Sequence, residues 1–135
     1  MPTIIVDASV VIKWFKKKGE ERTKEAEEYL QQFLERKIKI AVPALLFYEI
    51  VNIASFDTTV TPNHWQNIFE VLCAMPFEVY PPDKFLVKEI YEMAKTAKIT
   101  AYDASYLTLA KRLETVLITS DKALILKGKD LVKKL

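Results

Sequence analysis

Short β-branched runs alternate with longer stretches of helical periodicity along the whole chain, and this alternation limits the fold more than any other feature of the sequence. Thr3 to Val6 is β-branched and apolar, stops at Asp7, and passes straight into Ala8-Ser9-Val10-Val11-Ile12-Lys13-Trp14-Phe15: a strand, a polar stop and a helix. Gly19 breaks the chain, and Glu20 to Arg36 then places Ala26, Tyr29, Leu30, Phe33 and Leu34 at helical spacing among charged residues, as in a surface helix with one buried stripe. Ile38 to Val42 predicts a second strand, and Pro43 suits the first turn of a helix running from Ala44 to about Phe56. Beyond the turn Asp57-Thr58-Thr59, helices are predicted over Pro62–Met75, Asp83–Lys98 and Ala101–Leu113, and strands over Phe77–Tyr80 and Val116–Thr119. Ser120-Asp121 opens a short helix, and Leu131-Val132 offers a last, marginal strand.

Such alternation predicts an α/β protein with a mostly parallel central sheet of four to five short strands, covered by helices on both faces. In sheets of this kind ligands bind beyond the carboxyl ends of the strands, where Asp7 and Asp121 both fall. With 135 residues, 50% of them hydrophobic, the chain has the size and apolar content of one domain, residues 1–135, around a single core. No stretch of eighteen uninterrupted apolar residues occurs, and Met1-Pro2-Thr3 leads into the first strand without a basic leader region, so a soluble cytoplasmic protein with no membrane contact is expected. The single cysteine, Cys73, lies in an apolar segment and reads as a buried, inert thiol; with His64 the one histidine, no Cys/His zinc cluster can form. A net charge of +2 is far from that of a nucleic-acid coat protein, so any contact with nucleic acid must be local.

Glu49 is the most informative residue, because it interrupts the apolar helix Ala44-Leu45-Leu46-Phe47-Tyr48 and Ile50-Val51. Drawing an unpaired carboxylate out of water costs several kcal/mol, so a partner is expected. Asn52, three residues on, shares its helical face and could support whatever the carboxylate binds; equally, both could sit at the rim of an amphipathic helix. Asp7 could simply cap the helix that starts at Ala8, and Asp103 fits a Thr-x-x-Asp capping spacing after Thr100. Asp121 could cap the last helix, or leave that to Ser120. Each acid has an ordinary structural role open to it, but four acids at strand ends and in apolar helices could also meet in one crevice. There their mutual repulsion would raise their pKa values unless cations neutralised them. All-oxygen ligation favours magnesium or manganese over zinc, and hydrolysis of a phosphodiester is the chemistry that such ions serve.

Three segments resemble the PIN domain family, and within it the VapC-type toxins of toxin–antitoxin pairs. Ile4-Ile5-Val6-Asp7-Ala8-Ser9-Val10 resembles the opening strand with its first acidic site and a supporting hydroxyl, Ser9. Pro43 through Asn52 resembles the second segment, with Glu49 at the acidic position. Thr100-Ala101-Tyr102-Asp103-Ala104-Ser105-Tyr106-Leu107-Thr108-Leu109-Ala110 and Leu117-Ile118-Thr119-Ser120-Asp121-Lys122 resemble the last two acidic sites in their usual order. The resemblance implies a PIN-like α/β/α sandwich and a magnesium- or manganese-dependent endoribonuclease. It carries catalytic and metal-binding roles over to Asp7, Glu49, Asp103 and Asp121, with Ser9, Asn52, Thr119 and Ser120 in support. It also implies a homodimer, RNA as substrate, and a VapB-like antitoxin lying across the cleft.

Lys13, Lys16 and Lys122 are candidates for holding the RNA backbone, with Lys17, Lys18, Lys111 and Arg112 nearby in sequence, although any one of them could be ordinary surface charge. Trp14, Phe15, Phe47, Tyr48, Trp65 and Tyr106 could stack on bases, but aromatics at helical spacing usually serve a core or an interface. Two other classes compete. A phospho-aspartyl enzyme would need an acid two residues after Asp7 or beside it, and Ser9 occupies the first of those positions. An inactive PIN-like scaffold that binds RNA or protein would not need all four acids, and an RNA-processing nuclease of the same fold would use the same site as a toxin.

Overall fold

A computed structural model describes residues 1–135. Five strands, β1 (Thr3–Val6), β2 (Lys39–Pro43), β3 (Glu78–Tyr80), β4 (Leu117–Thr119) and β5 (Val132–Lys134), form one sheet in the order β3-β2-β1-β4-β5. Every pairing is parallel. The connections are α1 (Ala8–Phe15), α2 (Thr23–Leu34), α3 (Leu45–Phe56), α4 (Pro62–Ala74), α5 (Lys84–Ala97), α6 (Ala101–Arg112) and α7 (Lys122–Gly128), and one turn of 3-10 helix, Lys129–Leu131, leads into β5. This is the α/β architecture expected from the alternation, with the last strand starting one residue later than Leu131-Val132 suggested and running to Lys134. No helix is long and apolar enough to cross a membrane.

Alternate residues of each strand feed opposite faces of the sheet, as the two-residue period requires. Val6, Ile40, Val42 and Ile118 join the side chains of α1 to α4 in one apolar cluster, while Ile5, Ala41 and Leu117 pack against α6 and α7 in the other. Because both faces are covered, the central strands β1, β2 and β4 are apolar at most positions, whereas the edge strands β3 and β5 carry charged residues and are partly exposed. Helix α6 is buried continuously from Ala104 to Ala110, between the sheet and α5. Gly128 closes the α7–β5 connection: a Cβ there would lie 2.1 Å from the Val132 side chain, so nothing larger than hydrogen fits.

Two local expectations fail for identifiable reasons. Pro43 is the last residue of β2, not the first turn of α3. It lies beyond the last β1 partner and pairs with Tyr80 alone, a strand-end position where the missing N–H costs nothing, and the Ala44 N–H continues the ladder to the Tyr80 carbonyl at 3.1 Å. Cys73 is exposed, not buried. Helix α4 buries Trp65, Ile68 and Leu72, and the next residue is turned about 100° away from that stripe, into water.

Candidate active site

The chain runs from β1 outward through β2 and β3, then returns to place β4 on the other side of β1. The order therefore reverses between β1 and β4, the point at which the loops beyond the strands part and leave a crevice. The register Val6↔Ile118 aligns the ends of these two strands, so that Asp7 and Thr119 emerge side by side.

Asp7 is buried, with 5% of its surface exposed, and caps α1. Its Oδ1 accepts from the Ser9 N–H at 3.1 Å and the Ser9 hydroxyl at 2.5 Å; its Oδ2 accepts from the Thr119 hydroxyl. The Ser120 N–H donates to Ser9 Oγ at 3.0 Å, and the Asp121 N–H donates to Thr119 Oγ1 at 2.9 Å. Two hydroxyls thus stitch the ends of β1 and β4 together around one carboxylate. Ser120 contributes its backbone, and Asp121 takes the capping role at α7, accepting from the Leu124 N–H at 2.9 Å through Oδ1. Its Oδ2 accepts no hydrogen bond within the chain.

Glu49 reaches the same crevice from α3, where the buried Tyr106 of α6 donates its hydroxyl to Oε1. Tyr106 follows Asp103 by three residues on the same helix, so α6 supplies both a carboxylate and the group that holds another. Asp103 stands half-buried in the first turn of α6, which Thr100 caps through the Asp103 N–H at 3.1 Å. Asn52 is exposed and its side chain makes no hydrogen bond; the side chain that holds Glu49 is Tyr106. The sequence shows Tyr106 only as an aromatic three residues after Asp103, and the fold makes it the partner of Glu49.

The electrostatics carry the mark of like charges gathered together. Burial raises the pKa of Asp7; the bonds from Ser9 and Thr119 oppose this, and the charge of Asp121 adds to it. Burial also raises Glu49, against the Tyr106 bond, with Asp7, Asp103 and Asp121 pushing further in the same direction. Asp103 is raised by burial and then by Asp121. No lysine or arginine pairs with any of the four. Burial, and then Glu49 beside it, drives the Tyr106 hydroxyl far above an ordinary phenol, so it remains a donor.

The donor set fits a hard divalent cation in kind: carboxylate and hydroxyl oxygen, with neither thiolate nor imidazole in the crevice. No three acids close into a coordination shell by themselves. An ion of the magnesium type does not require one, since it keeps several of its waters and uses one or two carboxylates.

Of the lysines expected to hold RNA, two are engaged elsewhere. Lys13 is buried and paired with Glu20 at 3.0 Å, and Lys16 is paired with Asp57 at 3.1 Å. Lys122 is exposed and unpaired beside Asp121. Trp14, Trp65 and Tyr106 are buried and cannot stack on bases, whereas Tyr48 is 76% exposed.

The PIN domain family model matches residues 4–129, which takes in the crevice and the whole sheet except β5. This chain belongs to the PIN domain family. Solved structures with a similar fold include PAE2754 from Pyrobaculum aerophilum, 24% identical, with a TM-score of 0.68 over 97% of this chain and 83% of that one. A toxin–antitoxin complex from Klebsiella pneumoniae contains a chain 18% identical, with a TM-score of 0.69 over 96% of this chain and 95% of that one. VapBC2 from Rickettsia felis, bound to a DNA fragment from its promoter, contains one 11% identical, with a TM-score of 0.73 over 98% of both. At these identities the likeness is one of fold. No curated protein sequence matches the chain.

Proposed function

We propose that this PIN domain is a metal-dependent endoribonuclease, the toxin of a VapBC-type toxin–antitoxin pair, with Asp7, Glu49, Asp103 and Asp121 as its catalytic, metal-holding acids. The observation that carries the reading is that the four acids gather at the strand-order switch within electrostatic reach of one another, the charge of Asp121 adding to the burial that raises the pKa values of Asp7, Glu49 and Asp103, and meet no cation of the chain's own. A protein that needed these acids only as helix caps would gain nothing from bringing them together, and a bound cation is what relieves the repulsion.

Within the crevice the chain's residues do separate jobs. Ser9 and Thr119 fix Asp7 from both sides, so neither oxygen can rotate away. Tyr106 holds one oxygen of Glu49, and the other has no hydrogen-bond partner in the chain. Asp103 and Asp121 bring charge from two helix N-termini, whose dipoles favour anions there. A magnesium or manganese ion, when bound, supplies an activated water and neutralises charge on the phosphoryl oxygens. The protein's task is to present that ion and to position the scissile phosphate.

The toxin reading draws support from the toxin–antitoxin complexes among the similar structures. A homodimer and an antitoxin are proposed as partners, and the large apolar side chains left in water, Tyr48 at 76% and Phe56 at 80% exposed among them, are surface that such partners would cover. The test is incubation of purified, antitoxin-free protein with a mixed structured RNA, in magnesium, in manganese and with chelator. Metal-dependent cutting is the expected result; no cutting in any metal by folded protein would favour a binding scaffold.

A further inference from the structure

A polyanion that approaches four uncompensated carboxylates is repelled, and a bound ion offsets only part of their charge. The net charge of +2 offers no general attraction, so a phosphodiester chain needs a local positive track beside the crevice. One groove supplies it. A cavity of about 400 Å³ is lined by Lys13, Glu21, Arg22, Ser120, Lys122 and Lys134, with the apolar side chains of Ile125 and Leu135 at its base. Its wall is the wall of the crevice: Ser120 donates its N–H to the Ser9 hydroxyl that holds Asp7, Lys122 follows Asp121, and the Leu135 N–H ties β5 to the Thr119 carbonyl at 3.0 Å.

The charges of this groove do not cancel. Lys13 is neutralised by Glu20, but Arg22, Lys122 and Lys134 are exposed and form no ion pair, and Glu21 is the one acidic side chain in the lining. They come from the turn before α2, the start of α7 and β5, so only the fold assembles them. By contrast, Arg112 is paired with Glu89 at 2.7 Å, and it lies nine residues, about 13 Å, along α6 from Asp103.

We propose that Arg22, Lys122 and Lys134 form the binding track for RNA backbone phosphates next to the scissile bond, a reading that rests on the nuclease assignment. The guanidinium of Arg22 suits bidentate contact with a phosphate, and the two lysines add point charges that accept any base sequence.

The test uses the full chain carrying Asp7→Asn, which does not cut, and a fluorescein-labelled single-stranded RNA of mixed sequence, with binding followed by anisotropy between 50 and 200 mM salt. Each of Arg22→Ala, Lys122→Ala and Lys134→Ala added to that background is expected to weaken binding several-fold at low salt and to flatten the plot of log K against log salt by about 0.7. The triple variant should lose about 2 from that slope, while Lys37→Ala, exposed before the start of β2 and so at the opposite end of the strands from the crevice, should change neither quantity. In the otherwise wild-type enzyme the triple substitution should raise KM with little change in kcat. A triple variant that binds as its parent does, in a protein whose wild type cuts RNA, overturns the track and leaves the nuclease standing. Absence of both cutting and RNA binding overturns both.

Discussion

Asp7 and Asp57 are carboxylates withdrawn from water at helix ends, the first capping the start of α1 and the second closing the end of α3, and the chain treats them in opposite ways. Asp57 has a 5% exposed side chain and a full set of partners: the Thr59 hydroxyl at 2.7 Å and N–H at 3.1 Å, Lys16 Nζ at 3.1 Å, and Trp65 Nε1 at 3.1 Å. The Thr59 bond above all, with Lys16 and Trp65 adding to it against burial, holds its pKa well below the carboxylate range. Asp7 is the more buried residue of the two and also has good donors, yet burial, with the charge of Asp121 adding to it and no cation beside it, raises its pKa. Hydrogen bonds, from Thr59 first, keep Asp57 ionised, whereas the same kind of bonds do not offset the deeper burial of Asp7 among like charges. The Asp57 cluster uses its charge inside the fold, tying α1 to the α3–α4 junction, whereas the acids of the crevice meet no cation of the chain.

The comparison can be broken most decisively at Asp7. Asp7→Asn is expected to reduce metal-dependent RNA cleavage to background while the metal-free protein melts at the same temperature or higher, because a repelling charge is gone. Loss of folding together with activity would return Asp7 to a capping role. Next in size is Asp57→Ala, which strands the Lys16 ammonium and the Trp65 N–H; a clear drop in the urea midpoint is expected, with cleavage per folded molecule retained. If instead cleavage is lost and the midpoint holds, Asp57 belongs to the site and the contrast fails.

Tyr106→Phe sharpens the distinction between holding a carboxylate and neutralising it. Without its donor, Glu49 should hold manganese about 10- to 100-fold more weakly by titration. The fold should lose only about 1 kcal/mol by urea unfolding. The smallest expected effect is the pH dependence of the metal-free protein. For Asp7, Glu49 and Asp103, folding raises the pKa, so the native state binds protons more tightly than the unfolded chain. Stability therefore falls as pH rises from the ordinary carboxylate values of 3.8 and 4.5 through the raised native ones. Asp57 has the opposite sign, its contribution being complete above 3.8 and lost as pH falls towards its depressed native value. Urea midpoints between pH 4 and 8 should thus decline in metal-free buffer, and Asp7→Asn should flatten the decline.

How much of this was legible beforehand follows the range of the interactions. The α/β alternation, the caps at Asp7, Thr100 and Asp121, and the turn at Asp57 depend on neighbours within a helical turn, and they read directly from residue types and spacing. The four acids could be named, as could the supporting hydroxyls of Ser9 and Thr119. Reading by segment did not extend to Tyr106 as the partner of Glu49, 57 residues away, or to Lys13 and Lys16 as ion-paired rather than available cations. Cys73 was misread because an apolar neighbourhood in sequence does not say which side of a helix meets water.

By itself, then, the sequence determined the periodicity, the caps and the identity of the acids, since these are set by side-chain chemistry over a few residues. Tertiary structure alone decided that β4 returns beside β1, that Thr119 meets Asp7 across 112 positions, and that Arg22, Lys122 and Lys134 share one groove. Those juxtapositions come from burying both faces of a parallel sheet. The order of its strands depends on how the whole set of helices packs, and no local stretch encodes it.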